Sequence, residues 1–206
     1  MGMTTDEIRE TFLSYFEGRD HLRLPSASLV PAASDASVLL TTAGMHPLVP
    51  YFRGEEKPPH PRLATVQKCF RTTDIENVGN TARHLTFFEM LGNFSIGDYF
   101  KQQAVEMAWD LSQHGFGFDP DDIWITVFEG DEKLGLGPDE EAIEAWLSVG
   151  VPRERIVLCP RSSAARRRPT PPARATPTAG AGGRAARSTR GTSRGSRRSS
   201  CPWRQH

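Results

Sequence analysis

Cysteine is scarce in this sequence. Cys69, Cys159 and Cys201 are the three it has in 206 residues. No two stand at metal-ligand spacing, which argues against a disulfide framework or a zinc ribbon and for free thiols in a cytosolic chain. Long apolar runs are lacking too. The longest uncharged stretch, Ala36 to Phe52, is short for a bilayer and carries Pro47 and Pro50, so a membrane-spanning helix is excluded. The start has no apolar signal core, because Asp6, Glu7, Arg9 and Glu10 stand there. Asp6 also fills the position where a myristoylation pattern needs Ser or Thr.

The most uneven absence is that of acid. Residues 161–206 contain no Asp or Glu but 12 Arg, whereas residues 1–160 hold all 25 acids and 13 basic residues. The formal net charge of zero therefore averages a segment at −12 with a tail at +12. The tail also lacks Leu, Val, Ile, Met, Phe and Tyr. Ordering it would cost about 1–2 kcal/mol per residue in backbone entropy. Burying Trp203, its one large apolar side chain, would return only about 4–6 kcal/mol. Two parts are expected: a folded unit over 1–160, and a disordered Arg/Ala/Ser/Pro/Gly-rich tail over 161–206.

Within 1–160 the pattern mixes helices and strands. Thr4 and Glu7 form a capping box ahead of Ile8, Phe12 and Phe16, and Gly18 suits the helix end. Ser37–Thr42 reads as a buried strand. Ala64–Arg71 alternates, with Ala64, Val66 and Phe70 on one face and Thr65, Gln67, Cys69 and Arg71 on the other. A loop from Thr72 to Ala82 leads to a second strand, Arg83 to about Leu91, and the two are expected to pair as an antiparallel hairpin. Asp98 is placed to cap a helix whose inner face is Ala104, Met107, Ala108 and Leu111. Ile123–Glu129 reads as a strand. Pro138 can open a helix that turns Ile143, Trp146 and Leu147 inward, with Gly150 beyond its end. The expected class is α+β, an antiparallel sheet flanked by helices.

Chemistry concentrates at the hairpin. Arg71 closes one strand and Arg83 opens the next, and alternation puts Arg83, Leu85, Phe87 and Glu89 on one face. Two guanidiniums beside an aromatic ring can fork onto phosphate oxygens while the ring stacks on a base. Two solvated strand-end arginines and a core phenylalanine fit the same pattern, so from these residues alone both readings stand. Elsewhere Gly135-Leu136-Gly137 is a plain loop, because it lacks the third glycine of a dinucleotide turn. His21, His46, His60, His84 and His114 show no close metal spacing, and no metal site is assigned.

Three separated runs carry a resemblance. Ser28–Met45 (SLVPAASDASVLLTTAGM), Gln67–His84 (QKCFRTTDIENVGNTARH) and Phe87–Phe100 (FFEMLGNFSIGDYF) occur in the order found in alanine–tRNA ligases, which are class II aminoacyl-tRNA synthetases. The resemblance covers roughly residues 4–160. It implies the class II catalytic fold, incomplete here, and ATP-dependent attachment of alanine to tRNA through alanyl-adenylate, with ATP and Mg²⁺, alanine and tRNA as the molecules handled in the cytoplasm. It implies that Arg71 is the catalytic arginine on the α-phosphate and the alanine carboxylate, with Arg83 near the nucleotide. Phe87 would stack on adenine, with neighbouring Phe88 as the alternative, and Met45 would line the amino-acid pocket. Asp74, Glu76 and Asn77 would lie on the loop that approaches ATP and the tRNA end.

Departures from the family accompany the match. Thr73 stands where an acid is common, Ala36 follows Asp35 in place of Pro, and the loop is short. After Pro160 the family's N-F-W element, its G-P-C-G-P-C stretch, its later phosphate-binding arginine and its zinc ligands do not follow. The chain reads as a truncated ligase, frame-shifted near residue 160, whose Arg-rich tail is what GC-rich coding sequence gives out of frame. On this reading it is inactive alone. The alternative is a non-catalytic fragment whose basic tail binds RNA nonspecifically.

Overall fold

A computed structural model describes residues 2–31, 38–72, 75–81 and 84–160. The expected tail, together with Ser37, Thr73, Asp74, Ala82 and Arg83, lies outside the described residues. The elements run α1 (Thr5–Glu17), β1 (Leu22–Leu24), α2 (Val49–Phe52), β2 (Arg62–Phe70), β3 (Phe87–Ser95), α3 (Lys101–Asp110), β4 (Ile125–Phe128), α4 (Glu140–Ser148) and β5 (Ile156–Cys159). This is the mixed α+β architecture expected. One sheet has the order β1-β2-β3, with β1 parallel and β3 antiparallel to β2, and a second pairs β4 with β5 in parallel.

α1 starts as its sequence dictates. The Thr4 hydroxyl accepts from the Glu7 backbone N–H at 3.3 Å, and the Glu7 carboxylate accepts from the Thr4 N–H at 2.7 Å. Those bonds to Thr4 hold the Glu7 carboxyl below its ordinary range. Phe12, Leu13 and Phe16 are buried. They pack with Ala64 of β2, Tyr99, Met107 and Leu111 into the first core. Gly18 keeps a right-handed backbone (φ −63°). The left-handed turn falls instead on Asp20 (φ 63°), a residue type that tolerates it.

The hairpin is present, with register from Arg62↔Ser95 to Phe70↔Phe87. The second strand is displaced from the expected Arg83–Leu91 and runs Phe87–Ser95. Gly92 sits within this strand, where the Phe94 ring folds over it. A Cβ at 92 would lie 2.6 Å from that ring. The buried strand expected at Ser37–Thr42 is not found over its described part. Leu39 is 95% exposed, and Thr41 makes single bonds, its N–H donating to Leu29 O and its carbonyl accepting from Phe70 N–H. One bond on each side joins loops but builds no ladder.

Three helix expectations are corrected. Asp98 does not cap α3, because it is ion-paired with Arg62, and Phe100 holds the N-cap position without a side-chain bond. The inner face of α3 uses Val105 and Met107, while Ala108 is exposed. Leu147 of α4 points outward at 41% exposure, leaving Ile143 and Ala145 as the buried residues. As expected, Gly150 follows that helix, at φ 89°. Asp139 provides the cap, its carboxylate accepting from the Ala142 N–H at 3.2 Å. The Ile156–Cys159 strand was not expected. Four apolar residues between a 3₁₀ turn and Pro160 carry no periodicity to read.

His21 is buried beside Phe16. Its Nδ1–H donates to Arg19 O at 3.0 Å, and Nε2 accepts from the Tyr99 hydroxyl at 2.9 Å, which in turn accepts from Asn93 Nδ2. Burial pushes the imidazole pKa down, and the charges of Arg62 and His60 push the same way. The unfolded chain thus takes up a proton near the ordinary value of about 6.5 while the folded chain does not. Stability is therefore expected to hold above that pH and to decline as pH falls below it. Thermal melts from pH 8 to 5 test this. A decline in that window that persists undiminished in His21→Asn would overturn the assignment.

Candidate functional site

Directly opposed residues of an antiparallel pair share a face. The register therefore sets Phe88 and Met90 of β3 beside Cys69 and Gln67 of β2, on the face to which Arg71 belongs. Arg71 follows the last residue of β2, and its backbone N–H donates to Thr86 O at 2.8 Å. Its Nε–H donates to Thr42 O at 2.8 Å, and the guanidinium carbon lies 5.2 Å from the centre of the Phe88 ring. Among the described residues Nη1 and Nη2 have no hydrogen-bond partner. A cation held at one nitrogen above an aromatic ring presents its other donors to an anion.

The floor of this face is dry. Leu63, Gln67 and Cys69 are fully buried. Desolvation raises the Cys69 thiol pKa, and the nearby Arg71 charge opposes the rise. A cover crosses the face from residues 26–29 and 41–46. The Gly44 N–H donates to Met90 Sδ at 3.2 Å, and a Cβ on Gly44 would already touch Met90, Phe94 and Gln67 at 3.6–3.7 Å. Met45 follows at the rim, 47% exposed, as the N-cap of a 3₁₀ turn at His46–Leu48.

Other expected site residues lie apart. Glu76 and Asn77 sit on an exposed 3₁₀ turn, Ile75–Asn77, where Asn80 Nδ2 donates to Glu76 O. Asp74 and Arg83 are outside the described residues. Phe87 pairs with Phe70, so it belongs to the opposite face from Arg71, the one carrying the Arg9–Glu89 ion pair. Phe88 is the ring that shares Arg71's face. Sequence alternation could not separate the two rings, because that choice needs the register between strands. The same register brings in Met90 and Gly92, which no motif reading singled out.

Among the described residues no group of three or more His, Cys, Asp or Glu side chains could hold a metal ion. No helix among them is long and apolar enough to cross a membrane.

The sequence that builds this face matches known proteins. The family model for tRNA synthetases class II (A) matches residues 7–169. The alanine–tRNA ligase of Rubrobacter xylanophilus is 54% identical over 160 residues, 78% of this chain and 18% of that protein. That of Synechococcus sp. is 55% identical over 155 residues, covering 75% and 16%. That of Fervidobacterium nodosum is 52% identical over 155 residues, covering 75% and 17%. The chain thus spans less than a fifth of the length of these relatives. With that family model covering well over half of its residues, the chain belongs to the class II tRNA synthetases.

Proposed function

We propose that the Arg71 face is one wall of a site for ATP and alanine, serving the formation of alanyl-adenylate and its transfer to tRNA in the cytoplasm. The observation that carries this reading is the Arg71 guanidinium, fixed through Nε to Thr42 O and set over the Phe88 ring. The alanine carboxylate attacks the α-phosphorus of ATP, one P–O bond forms, and pyrophosphate leaves with the electrons of the bond that breaks. A ribose hydroxyl at the tRNA end then takes the alanyl group and releases AMP. In-line displacement at phosphorus needs positioning and charge neutralisation more than a protein base. Arg71 supplies both, by bridging the α-phosphate and the carboxylate.

The planar partner for adenine on this wall is Phe88, favoured over Phe87 by its side of the sheet. Met45, half-exposed at the rim of the cover, bounds the space for a small side chain. By the family resemblance, Asp74, Glu76 and Asn77 would serve the approach of ATP and the tRNA end, and Arg83 the nucleotide. Mg²⁺ arriving with ATP would add charge neutralisation. The test is an ATP titration by calorimetry on the chain and on Arg71→Ala. Losing a charge-assisted contact of about 1.5–3 kcal/mol should weaken ATP roughly 10–150-fold. Equal affinities, or binding by neither, would overturn the reading.

A second reading is carried by composition: 12 arginines without an acid in residues 161–206 would bind RNA through counterion release, with affinity that collapses as salt rises.

A further inference from the structure

Gln67 is an amide in the middle of β2, 1% exposed, where an aliphatic residue would be the ordinary choice. Its polar atoms are all used. Oε1 accepts from the Ala27 N–H at 2.8 Å, and Nε2 donates to Ala27 O at 3.1 Å and to Lys68 O at 2.8 Å. A buried amide satisfied on both sides by one residue's backbone clamps that residue to the strand. Ser26 reinforces the clamp, its hydroxyl accepting from the Lys68 N–H at 3.1 Å.

The clamped segment is the first of a series. Ser28 O accepts from the Thr41 hydroxyl at 2.9 Å, and Leu29 O accepts from the Thr41 N–H at 2.8 Å. Thr41 is itself buried, and its carbonyl accepts from the Phe70 N–H at 2.9 Å. The next carbonyl, that of Thr42, is the one that holds Arg71 Nε. The Thr42 end is tied down a second time, since its hydroxyl and backbone N–H both lie within bonding distance of His46 Nδ1.

We propose that Gln67 is a positioning residue for Arg71, acting through Ala27, Thr41 and the Thr42 carbonyl, and that this relay sets the direction in which the guanidinium meets a phosphate. The relay rests on the ATP reading only for its last clause. Its geometry concerns Arg71 whatever ligand arrives. The arrangement explains a polar side chain at a dry position: an apolar residue would fill the space but leave the backbone N–H and C=O of Ala27 without these partners.

The experiment follows the Arg71 Nε–H resonance of the full 206-residue chain by proton-exchange NMR, assigned through its loss in Arg71→Lys. In the parent chain this proton should exchange slowly. In Gln67→Met its exchange should rise at least about fivefold, the equilibrium factor of one net hydrogen bond, while the amides of the β2–β3 ladder keep their rates. Thr41→Val removes only the bond to Ser28 O and should act in the same direction, so it serves if the Met variant does not fold. An unchanged Arg71 Nε–H with the Ala27 amide newly exposed would overturn the relay. ATP titrations on the same samples separate the two readings. A loosened Arg71 with no ATP binding in the parent keeps the relay and removes the nucleotide site. Affinity that falls along with Nε–H protection supports both.

Discussion

No alanine-dependent ATP–pyrophosphate exchange is the expected result when the 206-residue polypeptide is assayed by itself. Adenylate formation requires the phosphates to be held from more than one side and the amino group of alanine to be fixed. On the reading proposed above, the described face offers one guanidinium for this work, that of Arg71. Each major contact made to the transition state is worth about 2.7–4 kcal/mol, or 10²–10³ in rate. If Arg71 acts without two or three such contacts, the rate would fall several orders of magnitude below that of a full-length ligase, even if the losses are not additive. The measurement is incorporation of labelled pyrophosphate into ATP with and without alanine. Exchange at a rate comparable with a full-length alanine–tRNA ligase would show that these 206 residues suffice, and would end the reading of an incomplete site.

Phe16→Ala should cost about 3–5 kcal/mol in urea unfolding, enough to remove most of the stability of a domain this size. The ring is 2% exposed and sits among Phe12 at 4.9 Å, Tyr15 at 5.2 Å and His21 at 4.9 Å between ring centres. Collapse around the void is hindered on every side. α1 is held by its reciprocal cap at one end, and Arg19 is tied to Asp110 and laid over the Tyr15 ring at the other. The loss should fall on the first core, since Phe16 belongs to the cluster containing Ala64 and Met107 and not to the one around Ile125 and Ile156. A loss below about 1 kcal/mol would mean that the site repacks, and that α1 is not seated as described.

What the sequence discloses, and what it hides, divides by range of interaction. The Thr4–Glu7 cap and the α1 stripe were legible because each is written in residues a few positions apart, and the pairing of β2 with β3 because the two strands are neighbours in sequence. The start of β3 at Phe87 was not, because alternation continues through Leu85, which the fold leaves 63% exposed. Asp98 has the chemistry of a helix cap, yet it is taken by Arg62 from a strand far back in the chain. Competition of that kind leaves no local mark. At the candidate site, the place of Arg71 after an alternating strand was legible in the sequence. The side of the sheet on which an aromatic ring joins it was not. That choice depends on the Phe70↔Phe87 register, and a slip of one residue would exchange Phe87 and Phe88 between faces.

The two hydrophobic clusters have a consequence for how the chain opens. Residues of β4, α4 and β5 form a βαβ unit with its own interior of Ile125, Val127, Ile143, Val151 and Ile156. It meets the rest through α3, where Trp109 lies edge-on to Trp146 and Lys101 reaches Asp139 and Glu141. Exposed ion pairs are weak ties, so that seam is softer than either interior. Thermal agitation should part the molecule there first, and the halves would then behave as separate foldons, each with its own opening free energy. The clamp on Arg71 lies wholly within the first foldon, so the guanidinium would stay aimed while the far unit breathes.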